Sequence, residues 1–71
     1  MRAKLAEKRY TYNGEDLTIA REKAGYSQAE LGELCGWSRQ YQYKLERPGE
    51  HIVSEDTIRI LREYVELTTI E

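Results

Sequence analysis

One cysteine, one proline and one histidine stand in these 71 residues, and no apolar run comes near the roughly 20 residues that a helix needs to cross a bilayer. Each scarcity excludes something. Cys35 has no second cysteine to pair with, so an internal disulfide is excluded and the residue reads as core filler on an apolar helix face. His51 has no second histidine and no carboxylate at ligand spacing, which leaves it a loop or packing role and gives no metal site. No paired-carboxylate motif and no glycine-rich phosphate loop are present, so nothing assembles a catalytic centre; neither an enzyme nor a cofactor is expected. The first residues are charged without an apolar stretch behind them, which is not the pattern of a secretory signal. An unpaired cysteine suits a reducing cytoplasm, the expected location.

What is present is charge, 34% of residues against 39% hydrophobic, with a net charge of -2 and a mean hydropathy of -0.80. A chain of this length makes one small domain, able to bury only about 60% of its unfolded surface. The net charge is unevenly spread. Residues 1–12 carry four Lys or Arg against one Glu, and residues 38–49 carry Arg39, Lys44 and Arg47 against Glu46, whereas residues 13–37 and 50–71 are both net acidic. The molecule is therefore expected to have a basic side and an acidic side.

Helix signals punctuate the chain from residue 13. Asn13 can cap a first helix whose stripe is Leu17, Ala20 and Ala24, with Arg21 on the same face. Ser27 with Glu30 forms a capping box, so a second helix starts at Gln28 and turns Leu31, Leu34 and Cys35 inward. Gly32 lacks the side chain that would obstruct a close helix crossing, and Gly36 stops the helix in a left-handed conformation. Ser38 caps the next helix at once, over Arg39 to about Glu46, with Trp37, Tyr41 and Leu45 on its apolar side. So short a connection forces the steep crossing of a helix-turn-helix over residues 27–46, which can hold a helix against DNA. Pro48 and Gly49 break that helix. Ser54 caps a fourth helix with Glu55 and Asp56 in its first turn and Ile58, Leu61 and Val65 facing inward.

An arginine on an inward face requires a carboxylate partner, because burying its charge unpaired is costly. The flanks are less regular. Residues 1–12 read as a basic N-terminal arm, with Tyr10-Thr11-Tyr12 rich in strand formers and able to pair with another strand. Residues 13–67 form the domain and 68–71 a strand-like tail. Ile60, Tyr64 and Leu67 make a second stripe beside the first on helix four, and this surplus, with the tail Thr68-Thr69-Ile70, points either to a homodimer contact or to a wider core stripe.

The stretch from 13 to 66 resembles the lambda-repressor and Cro type (XRE-like) helix-turn-helix family. The resemblance is carried by Arg21, Gly25 and Ser27-Gln28, by Gly32, by the turn Gly36-Trp37-Ser38, and by Leu45-Glu46. It implies an all-α domain of four helices, or five, with an extended arm. It also implies a structural ion pair between Arg21 and Glu46, base-reading positions at Ser38, Arg39, Gln40, Tyr43 and Lys44, and a phosphate contact from Gln28. Arg47 is a second expected phosphate contact. Arginine and lysine can take guanine O6 and N7, and glutamine adenine N6 and N7. The chain departs from the family at Gln42, where Ile or Val is usual, and in its missing or reduced fifth helix. Gln42 is accordingly expected at the core edge, beneath Tyr41 or Tyr43, and its replacement by Ile to be harmless.

The function expected is a sequence-specific double-stranded DNA-binding regulator, a phage or bacterial repressor or controller acting as a homodimer. The alternatives are an antitoxin that holds a toxin through its acidic fourth helix, and a protein-interaction module on the same fold. No membrane partner is expected.

Overall fold

Four short polar side chains start four helices. In the computed structural model, which describes residues 8–70, Asn13 caps α1 (Gly14–Ala24), Ser27 caps α2 (Gln28–Cys35), Ser38 caps α3 (Arg39–Leu45) and Ser54 caps α4 (Glu55–Arg62). Each cap oxygen accepts a first-turn amide, from Glu15, Glu30, Tyr41 and Thr57 in turn. The capping box is closed from both sides, since Ser27 N also donates to Glu30 Oε1 at 2.8 Å. Helices this short are marginal alone and persist through tertiary packing.

The domain is not purely α-helical, which corrects the all-α expectation. Strands β1 (Arg9–Asn13) and β2 (Glu50–Ser54) pair antiparallel, with Tyr10 opposite Val53, Thr11 opposite Ile52 and Tyr12 opposite His51. Alternation places Tyr10 and Tyr12 on the inner face, and both are buried. Residues 9–12 therefore belong to the packed domain and not to an arm; residues 1–7 of that arm lie outside the described residues. The tail is also drawn in. Thr11 and Ile70 exchange backbone hydrogen bonds of 2.8 and 2.7 Å, and Arg62 holds the intervening turn by donating to Leu67 O and Thr69 Oγ1 while its guanidinium lies over the Tyr10 ring.

The core gathers Tyr10, Tyr12, Leu17, Ala20, Leu31, Leu45, Ile58, Leu61, Val65 and Leu67, so every element except β2 contributes a fully buried apolar side chain, and β2 adds the half-buried Val53. Helix α4 stops at Arg62, earlier than its apolar spacing suggested, and the expected second stripe is largely absorbed into the core beyond it: Leu67 is buried and Tyr64 packs edge-on against Tyr26. It leaves little apolar surface for a partner. Ala24 and Leu34, expected inward, are exposed because each sits in the last turn of its helix, beyond the cover of a neighbour. Cys35 is half-buried against the core, and burial with the nearby Glu63 charge pushes its thiol up to about 11, so it stays protonated near neutral pH.

Gln42 is the clearest departure. It is 0% exposed, whereas Tyr41 and Tyr43 both face solvent and do not roof it. Its amide is satisfied inside the protein: Trp37 Nε1 donates to Gln42 Oε1 at 2.8 Å, and Gln42 Nε2 donates to Glu46 Oε2 at 2.7 Å. A polar residue replaces Ile or Val because the indole N–H and the carboxylate stand one on either side of it, ready to bond both ends of an amide.

Candidate nucleic-acid interface

The angle between α2 and α3 depends on two glycines and a three-residue turn. Gly36 has φ 89°, a conformation that side chains other than glycine rarely adopt, and its N–H closes α2 on the Gly32 and Glu33 carbonyls. A side chain at Gly32 would press on the Trp37 and Ser38 carbonyls at 3.2 Å, so its absence lets the turn lie on the helix. α3 is thereby set across α2 with one face outward.

Behind that face stands a buried acceptor. Arg21 Nε donates to Glu46 Oε2 at 2.8 Å, and Arg21 Nη1 donates to Tyr26 O at 2.7 Å, fixing the guanidinium between α1 and the end of α3. Glu46 also accepts from Gln42 Nε2, Thr18 Oγ1 and Gln28 Nε2. Burial alone would raise the Glu46 carboxyl, but the hydrogen bonds from Arg21, Gln42, Gln28 and Thr18 outweigh it and hold the group below its ordinary range. Glu46 is therefore a carboxylate at neutral pH, and its charge is spent inward. Tyr12 adds a further tie from the sheet, its hydroxyl donating to Leu45 O at 2.8 Å.

The outer side carries the opposite charge. Gln28, Arg39, Gln40, Tyr43, Lys44 and Arg47 line one concave surface between the start of α2 and α3, of about 780 Å³, together with Ser27, Ala29 and the edge of Arg21. Arg39, Gln40, Tyr43, Lys44 and Arg47 are exposed, and Gln28 is half-buried with one amide hydrogen on Glu46 at 3.2 Å. No carboxylate lines the groove, and among the described residues none of its three exposed cations is held in a salt bridge. Ser38 does not line this groove; it is exposed beside it with its oxygen accepting the Tyr41 amide as a cap. His51 stacks on Tyr12 with ring centroids 5.3 Å apart and donates to Arg47 O, so it shapes the loop after α3.

Sequence reasoning missed Thr18 and Gln42 as partners of Glu46, and Gly14 as the point where α1 meets the loop after α3, where its N–H donates to Gly49 O. A signal existed for Gln42: a lone tryptophan N–H needs an acceptor, and a glutamine four residues before a glutamate can reach it along a helix.

Compared with known proteins, the chain matches no curated protein and no solved structure significantly. Among protein families, residues 14–71 match the helix-turn-helix domain. That match takes in all four helices and the basic groove, and the chain belongs to the helix-turn-helix domain family.

Proposed function

We propose that this chain is a sequence-specific double-stranded DNA-binding transcriptional regulator of the phage or bacterial repressor and controller type, acting in the cytoplasm and reading the major groove with α3. The observation that carries the reading is the groove itself. A chain of net charge -2 exposes three cations and an amide along α3 and the loop behind it, with its one nearby carboxylate turned into the core. Phosphates reward that distribution by releasing their counterions, and base edges reward the residue types. In this reading Arg39, Gln40, Tyr43 and Lys44 face base edges, with Ser38 at the N-terminal end of the same helix. Arg47 and Gln28 meet phosphate, Gln28 with the amide hydrogen that Glu46 leaves free. Binding, and not catalysis, is the role of the site.

The test is a titration against selected and random duplexes at several salt concentrations. Affinity for all duplexes should fall steeply with salt. Arg39→Ala should cost about 1–3 kcal/mol and relax preference at one base position, while Arg47→Ala should weaken all sequences alike and flatten the salt slope by about one. Absence of any duplex binding at low salt would refute the reading.

A further inference from the structure

The sheet has one strand whose outer edge is open, and its pattern is that of a surface made to meet itself. Because Thr11 exchanges both backbone bonds with Ile70, its N–H and C=O point away from β2, and Thr11 and Ile52 form a non-hydrogen-bonded pair. By the same alternation the N–H and C=O of Ile52 point away from β1. Among the described residues no backbone group outside the β1–β2 ladder bonds them. The edge over 50–54 carries no proline, no lysine and no bulge, and its single charge, Glu50, stands at one end. Ile52 and Ile70, each 68% exposed, flank Thr11 on the outer face of the sheet.

We infer that β2 is a homodimer interface, in which a second copy of this chain adds its own β2 antiparallel about a two-fold axis at Ile52. The segment Glu50-His51-Ile52-Val53-Ser54 is self-complementary in that register. Ile52 of the two copies exchange two backbone hydrogen bonds, His51 faces Val53, and Glu50 faces Ser54. The two Glu50 carboxylates then sit four residues apart along the strands, on the order of 13 Å, beyond the roughly 8 Å over which exposed charges act at physiological salt. A parallel pairing would set Glu50 beside Glu50. The two apolar lines also merge into one, Ile70–Thr11–Ile52 continuing into Ile52–Thr11–Ile70 of the second copy. On the inner side, a depression of about 430 Å³ bordered by Tyr41, Lys44, Glu50, Ile52 and Val53 lies beside the open edge, where the second copy's His51 and Val53 enter. The inference deepens the proposed function, since a two-fold axis presents α3 twice to a symmetric site.

The experiment is sedimentation of the full chain from micromolar to millimolar concentration, alongside Ile52→Pro and Ile52→Thr. Proline removes only the outward N–H and leaves the β1 ladder intact; it should abolish the dimer while helical circular dichroism is kept, whereas Ile52→Thr should weaken the dimer without abolishing it. In a Cys35→Ser background, Ile52→Cys should cross-link through a short bis-maleimide, because facing Cβ atoms about 5.5 Å apart in a hydrogen-bonded pair lie within the span of such a reagent. The Ile52 amide of the unaltered chain should exchange more slowly as concentration rises. A monomer at every concentration overturns the inference, and so does a dimer that withstands Ile52→Pro or fails to cross-link through Ile52→Cys. The two readings fail separately: a monomer whose duplex binding still depends on Arg39 sinks only the interface, and a β2 dimer that binds no duplex sinks only the DNA reading.

Discussion

Replacing Gln42 by leucine is the sharpest perturbation of the link between core and recognition helix. The side chains are similar in size and the site is fully buried, so leucine brings more favourable burial of apolar surface. Two hydrogen bonds are lost in exchange. The Trp37 Nε1–H loses its acceptor at 2.8 Å, and a stranded donor costs about 1–3 kcal/mol, toward the lower end here because Trp37 is only half-buried. Glu46 loses a donor at 2.7 Å, and a hydrogen bond to a charged group contributes about 1.5–3 kcal/mol. Setting a gain of about 1 kcal/mol for the apolar side chain against these losses, the expected net destabilisation is about 2–3 kcal/mol, a large share of what a domain this small possesses. Urea unfolding of the variant measures it, with Trp37→Phe and the double variant completing a cycle that isolates the indole bond. Stability equal to or above the unaltered protein would refute the reasoning, showing that neither bond contributes net and that the site tolerates the Ile or Val usual in the family.

The remaining expectations concern the same network and its supports. Arg21→Met or Glu46→Leu alone should cost about 3–5 kcal/mol by leaving a buried charge uncompensated, and the double variant should cost clearly less than the sum of the two, a coupling read from denaturant midpoints. Because the Glu46 carboxyl is held below its ordinary range in the fold, its contribution is fully present above the unfolded value of about 4.3 and is lost as pH falls through the folded value; thermal melts from pH 6 to pH 3 should show that loss, and Glu46→Gln should remove part of the slope. At Gly14 an added methyl would collide with the Arg47 carbonyl, so Gly14→Ala should destabilise by about 1–3 kcal/mol despite its better helix propensity, and should disturb the position of Arg47, as amide chemical shifts would report.

Helix starts and the stop of α2 were legible residue by residue, because caps are local: Ser27 with Glu30, Ser38 and Ser54 each satisfy an amide three residues away, and Gly36 meets a backbone demand that no other residue type meets as easily, whereas α4 ends at Arg62 although its apolar spacing runs on to Leu67. The outward places of Arg39 and Lys44 came from the family resemblance, with Arg47 added as a further cation just past the helix. The strand over 50–54 was not legible, since five residues with two apolar members carry too little alternation to distinguish a strand from a loop, and its partner lies some forty residues earlier. Gln42 was misplaced for a related reason: sequence spacing shows which face of a helix a residue occupies but not which polar groups await it there. Only the packing of α1, α2 and the turn around Glu46 brings Arg21, Thr18, Gln28 and Gln42 to one carboxylate. Local hydrogen bonding thus determined the elements from sequence alone, whereas strand partners and the occupancy of the buried polar cluster are non-local, and the tertiary structure decided them.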